Sequence, residues 1–278
     1  MEYFSGISGV SLTFVVMMTM CSLSIFLLLI GLYFNLRKWS QGSEGYGLDP
    51  VDGKKGNILV FFKSYWNQLN AHSVHHGQIF FETLIFDVLL QRRTLRADPF
   101  RWFMHILIFV GWMGLFALSG LMFFIEITHM VGIEIMDPGH FRDLLQFPNQ
   151  VLGYILLFGV LIALVRRLVI PKVRQNTNSY DAVLIVTLFV VVVSGFIAHA
   201  GRYIATGITD FTGIDLLFLD YKIWTLWGMP VFLTYVKELA LAHSVLALFI
   251  GFSIIAFSKY IHMITSPLTM ILNKGGEK

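Results

Sequence analysis

Five long apolar runs leave this chain little choice of solvent. They lie at approximately 11–34, 102–125, 148–165, 182–200 and 239–258. Each reaches the roughly 18–20 residues needed to cross a hydrocarbon core about 30 Å thick; the third is the shortest. Hydrophobic residues make up 56% of the 278 and charged residues only 13%, with a mean hydropathy of +0.72. A water-soluble domain of this length cannot hide so much apolar surface, so lipid must face much of it. The expected fold class is an all-α membrane protein: a five-transmembrane-helix bundle forming a single membrane domain over residues 1–278.

Charge sets the expected orientation. The first ten residues, MEYFSGISGV, carry one acidic and no basic side chain, unlike a cleaved signal sequence. The basic pair Arg37-Lys38 lies beyond the first run, which places the N-terminus outside and 37–101 in the cytoplasm. Five alternating spans then put sixteen of the twenty Lys and Arg residues inside, leaving only Arg142, Arg202, Lys222 and Lys237 outside. The C-terminus is expected in the cytoplasm and the cell membrane is the expected location. The net charge of +3 hides this polarity and says nothing of nucleic acid.

The cytoplasmic segment opens on a Gly-rich loop, QGSEGYGLDPVDGKKGN, and continues to IFFETLIFDVLLQRR, where Ile79, Thr83, Phe86 and Leu90 fall near helical spacing. An amphipathic helix on the membrane surface is expected there; a docking surface for a cytoplasmic partner is the alternative. Two outer loops are expected near 127–147 and 201–237, the second rich in aromatics: Tyr203, Phe211, Tyr221, Trp224, Trp227 and Tyr235. These suit interface anchoring and also a pocket for a planar, lipid-soluble molecule. The single cysteine, Cys21, excludes a disulfide within the chain, a CxxCH haem attachment and a cysteine-held iron–sulfur cluster carried by this chain alone.

Nine histidines remain to be explained. His72, His75, His76, His129 and His140 fall in polar segments and read as solvated or interfacial residues. His105, His199, His243 and His262 lie in or at the ends of apolar runs, where ionisable groups are costly and mark function. They sort by depth into two pairs. His105 and His262 lie toward the cytoplasmic side, four residues past Arg101 and three past Lys259; His199 and His243 lie toward the outside. Two imidazoles on facing helices are the usual axial ligation of a non-covalent b-type haem.

His243 and His262 are nineteen residues apart, about 28 Å along a helix and about 100° around it. A straight helix would therefore aim them at different neighbours, and the second and fourth spans offer His105 and His199. Gly111, Gly114, Gly195, Ala198, Ala200, Gly201 and Gly251 offer room for a porphyrin edge or for ordinary close helix packing. Arg101 and Lys259 near the inner pair, and Arg202 after His199, are candidates to neutralise haem propionates. Two haems stacked across the membrane would make an electron wire.

The stretches QRRTLRADPFRWFMHILIFVGWMGLFALSG (91–120), GYILLFGVLIALVRRLV (153–169), SKYIHMITSPL (258–268), the NKGGE tail and the KKGN of the cytoplasmic segment carry a resemblance. The chain is similar over nearly its whole length to the membrane cytochrome b subunit of methanogen heterodisulfide reductase, within the wider group that holds the gamma subunit of respiratory nitrate reductase. The resemblance implies five helices holding b haems, with His105 and His262 on the inner iron and His243 on the outer one. Nitrate reductase relatives place a second histidine ten residues after the first on helix two; here that position is Leu115. The outer haem's other ligand is then His199, read from depth and not from the family, or that iron is five-coordinate.

The resemblance also implies the reaction. Reduced methanophenazine would deliver electrons through the haems to a cytoplasmic iron–sulfur catalytic subunit, which reduces the CoM-S-S-CoB heterodisulfide. Carrier-pocket candidates near the outer haem are His199, Tyr203, Asp210, Tyr221 and Trp224. A menaquinol-oxidising cytochrome b of another iron–sulfur complex is the redox alternative. A proton or ion transporter relaying through the histidines is the alternative of a different class, and an anchor without haem is the last.

Overall fold

In the computed structural model, the described residues are 12–39, 59, 62–63, 65–67, 81–206, 235–249, 257 and 261–276. Every regular element among them is helical. They are α1 (Leu12–Trp39), a π-helical turn (Thr83–Leu89), α2 (Arg92–Ala97), α3 (Pro99–Met130), α4 (Pro138–Val169), α5 (Pro171–Gln175), α6 (Ser179–Thr206), α7 (Val236–Leu248) and α8 (His262–Gly276). Four of the described helices are long and apolar enough to cross a membrane: Val15–Lys38, Pro99–Met130, Pro138–Val169 and Ser179–Gly201. The fifth expected run is represented by α7, and most of its remainder lies outside the described residues. The chain is therefore a helical, multi-pass membrane protein.

The surfaces of these helices agree. Phe26, Phe158, Leu168 and Val183 stand more than half exposed, with Leu168 at 71%. A water-facing helix would put charge at such positions, whereas hydrocarbon accepts them without cost. Hydroxyls inside the apolar helices bond to their own backbone. Thr19 donates to the Val15 carbonyl at 2.7 Å, Thr128 to Phe124 and Ile125, and Ser244 to Ala240 at 2.8 Å. Such back-bonding satisfies a hydroxyl where water is absent.

Helix starts are written locally. Asp98 precedes Pro99 and accepts from the Arg101 N–H at 3.0 Å; Asp137 precedes Pro138 and accepts from the His140 N–H at 2.8 Å. Each carboxylate satisfies one orphan donor of the first turn, and proline at the first helical position loses nothing. α3 and α4 each run to 32 residues, about 48 Å at 1.5 Å per residue, so both outlast the hydrocarbon core. The outer connection expected at 127–147 shrinks to 131–137, and Pro148, read as the start of the third span, sits inside α4.

The chain divides into two compact units, Met1–Cys21 with Phe103–Ala247 and Ser22–Trp102 with Leu248–Lys278. In the first, Leu156 and Val160 of α4 pack with Leu188 and Val192 of α6, flanked by Ile108, Trp112 and Leu115 of α3. Tyr154 stacks on Phe196 with ring centroids 4.8 Å apart, and Gly153 leaves the space that Phe196 fills. Across the α3–α4 connection, Arg142 donates to Glu126 at 2.6 Å, with the carboxylate side chain only 12% exposed. Replacing Arg142 by alanine is expected to cost about 1–3 kcal/mol, because it leaves a half-buried acceptor without its charged donor. A thermal melt in detergent reads this, with Arg142→Lys expected to lose less.

The second unit is inverted relative to a water-soluble amphipathic segment. Thr83, Asp87 and Gln91 are buried, while Phe81, Ile85, Phe86, Leu89 and Leu90 are exposed. Of the four residues at helical spacing in the segment expected on the membrane surface, Phe86 and Leu90 face outward and Thr83 is buried. The π-helical turn packs against α8, and buried Asp87 is matched by Arg92 at 3.1 Å, which also reaches Glu82 at 3.3 Å. The Asp87 hydrogen bond raises the already high Arg92 pKa, so the guanidinium stays charged. Gln91 turns the chain into α2 with φ of 50°, the left-handed region that costs a residue with a side chain. Trp102 closes the segment by donating its indole N–H to the Leu90 carbonyl at 2.7 Å.

Candidate functional site

Each of the four membrane histidines falls at a described helical position. His105 lies in the second turn of α3 and its Nδ1 is buried. His262 is the first residue of α8 and is exposed. His199 lies near the end of α6 with a buried Nε2, and His243 lies in the middle of α7. His105, His199 and His243 belong to one compact unit and His262 to the other.

His243 has the most detailed surroundings. Its Nδ1 is 3.0 Å from the Ser194 hydroxyl of α6, and that hydroxyl donates to the Val191 carbonyl at 2.9 Å. The next residue, Gly195, lies directly under the ring. A Cβ built there would stand 3.1 Å from Cε1 and 3.4 Å from Nε2 of His243, closer than most side chains tolerate. α6 thus approaches α7 where a serine offers a hydroxyl and a glycine offers space. His199 is four residues beyond Gly195, one helical turn along the same strip of α6. The structure therefore brings His243 of α7 onto the face of α6 that carries His199.

Other expected features sort differently. Gly111 and Gly114, read as possible room for a porphyrin, are filled by α4: a Cβ at Gly111 would lie 2.7 Å from the backbone nitrogen of Leu156, and one at Gly114 would meet the Leu152 side chain. Leu115 packs on the apolar core. Arg101 is exposed in the first turn of α3. Arg202 and Tyr203 continue the α6 backbone, but their side chains, with Lys259, Asp210, Tyr221, Trp224, His72, His75 and His76, lie outside the described residues. His129 and His140 are exposed near the α3–α4 connection, as their polar setting suggested. Ser194 escaped the sequence reading; the signal was a Ser-Gly pair interrupting an apolar helix five residues before a histidine.

The donor set fits an iron porphyrin. Among the described residues no group of three or more His, Cys, Asp or Glu side chains gathers to hold a metal. A porphyrin brings four nitrogens of its own and asks the protein for one or two imidazoles from helices that leave room beside them. His243 offers one such imidazole, and Gly195 lets its ring lie close against α6.

Comparison with known proteins gives the chain its relatives. The family model HdrE, described as the E subunit of dihydromethanophenazine:CoB--CoM heterodisulfide reductase, matches residues 81–270. The chain belongs to this family. It is 45% identical over 279 residues to the protein of that description from Methanosarcina mazei, covering 100% of both chains. The counterparts from Methanosarcina thermophila and Methanosarcina barkeri are likewise 45% identical, each covered to 98% while 100% of this chain aligns. No solved structure gives a significant match. Membership makes the chain part of an oxidoreductase complex of methanogenesis, so it works with other subunits. It is also the family that the sequence itself resembles.

Proposed function

We propose that this chain is the dihaem b-type cytochrome of its complex, carrying electrons from a reduced membrane carrier to a cytoplasmic iron–sulfur subunit that reduces the CoM-S-S-CoB heterodisulfide. The observation that carries this reading is the full-length match to relatives whose names give dihydromethanophenazine as donor and the heterodisulfide as acceptor. Methanophenazine is accordingly preferred over a menaquinone as the exchangeable carrier. The cytoplasmic membrane is the location, with five spans, the N-terminus outside and the C-terminus inside.

Bound b haem would supply reversible one-electron chemistry at iron. The chain's own residues hold and place it. His105 and His262 provide the inner imidazoles, His243 the outer one, and His199 the second outer ligand. Arg101 and Lys259 balance propionates on the inner side and Arg202 on the outer. Tyr203, Asp210, Tyr221 and Trp224 form the carrier pocket near the outer iron. The outward apolar face of the π-helical turn, followed by the arginines of α2, suits the membrane surface, as an amphipathic segment between the first two spans.

Proton bookkeeping follows from the sidedness. Dihydromethanophenazine loses two electrons and two protons, and the heterodisulfide takes up two of each to become two thiols. Oxidation near the outer face and reduction in the cytoplasm would move charge across the bilayer without a proton channel. Vesicles holding the complex with this orientation are expected to acidify the N-terminal side during turnover. Turnover with no proton release there would refute the redox loop.

A further inference from the structure

We propose that Ser194 is a positioning residue for His243, fixing the tautomer that presents a bare Nε2 to the outer iron. The inference rests on the haem reading above and deepens it.

The argument turns on one proton. The Ser194 hydroxyl lies 2.9 Å from the Val191 carbonyl oxygen and 3.0 Å from His243 Nδ1. A hydroxyl has one hydrogen to donate and lone pairs to accept with, whereas a carbonyl can only accept. Were the proton aimed at Nδ1, two oxygen lone pairs would face each other at 2.9 Å. With the proton on Val191, the oxygen accepts from a protonated Nδ1 and both contacts are bonds. A neutral imidazole carrying its hydrogen on Nδ1 has its lone pair on Nε2, the form that ligates a metal.

Gly195 completes the arrangement. A side chain there would stand 3.1 Å from Cε1 and 3.4 Å from Nε2, and would push the ring away from Ser194. Consecutive residues of α6 therefore act on the same ring, one setting its hydrogen and the other letting the ring lie close enough to be held. A hydrogen bond from the far nitrogen of a ligating histidine raises its basicity. A more basic ligand favours ferric over ferrous iron and holds the potential down.

The test is a redox titration of the purified complex, followed optically and by low-temperature EPR, for wild type, Ser194→Ala, Ser194→Thr and His243→Ala. Ser194→Ala is expected to keep both haems but raise the potential of one. The expected size is about a tenfold change in the ferric-to-ferrous preference, or about 59 mV for one electron. The EPR signal of that haem alone should change. Ser194→Thr keeps the hydroxyl and is expected to restore the wild-type potential. If His243→Ala removes a haem while Ser194→Ala leaves potential and spectrum unchanged, the positioning role is refuted and the haem reading survives. If the wild-type complex carries no haem on this chain, both fall together. An unchanged haem complement in His243→Ala would also overturn the inference, since Ser194 would be orienting something other than a ligand.

Discussion

Replacing His243 by alanine is expected to leave the purified complex with one haem per chain in place of the two proposed for the wild type, and to stop electron flow from the carrier to the heterodisulfide. His243 lies in the middle of α7, its Nδ1 held by Ser194 and its ring over Gly195, so alanine removes the donor from a helix otherwise able to form. Loss of an outer hydrogen-bond partner typically costs 10–100-fold in metal affinity or activity, and loss of the ligand itself should exceed that. A pyridine haemochrome assay gives the stoichiometry and quinol-analogue oxidation gives the rate. His105→Ala is expected to remove the other haem, leaving the outer spectrum in place. His199→Ala separates the two coordination schemes. A six-coordinate outer iron would change from low spin to high spin, whereas a five-coordinate one would keep its spectrum. Two haems and wild-type rates in His243→Ala would refute the ligand assignment and favour a histidine relay.

The spans are legible in the sequence because hydrocarbon imposes a length and a composition that few other constraints imitate. The helix ends are less so. Residues 138–147 carry Arg142, Asp143 and Gln146, which argue against a membrane interior and so read as a loop. Yet Asp137-Pro138 starts a helix, and Arg142 reaches Glu126 on α3, so helix and membrane end at different places. The π-helical turn is legible as an amphipathic segment because its apolar residues recur near helical spacing. The spacing does not tell that Thr83 falls on the buried side with Asp87 and Gln91 while Phe86 and Leu90 face outward. Histidines are legible as candidates because apolar surroundings single them out. Ser194 and the partners of Gly111 are not, since which side chain meets which helix is settled by packing that a single sequence does not print.

Replacing Gly111 by leucine is expected to disrupt the α3–α4 pair, and with it recovery of a monodisperse complex. A Cβ at Gly111 would lie 2.7 Å from the nitrogen and 2.8 Å from the Cα of Leu156. Those are backbone atoms, which no rotamer change can withdraw, so the helices must part. Gly159 of α4 makes the reciprocal approach, where a Cβ would meet Leu107 Cβ at 2.9 Å and the Ile108 nitrogen at 3.0 Å. As α3 descends from 111 to 108 its partner ascends from 156 to 159, the register of an antiparallel pair held by small residues. Lipid provides no hydrophobic drive for helices to associate, so this close contact and its dispersion energy are the main attraction. Overpacking costs about 1–3 kcal/mol where side chains can yield, and more is expected where only backbone can. Leu156 and Val160, at 1% and 0% exposure, would lose their contacts as the interface opened. His105 lies six residues before Gly111 on the same helix, so the haem proposed for it should loosen as well. Gly120→Leu is the control, because nothing lies within 4 Å of a Cβ there. Size-exclusion profiles and haem retention should fall for Gly111→Leu and stay unchanged for Gly120→Leu; equal behaviour of the two would show that close backbone approach is not what holds these helices together.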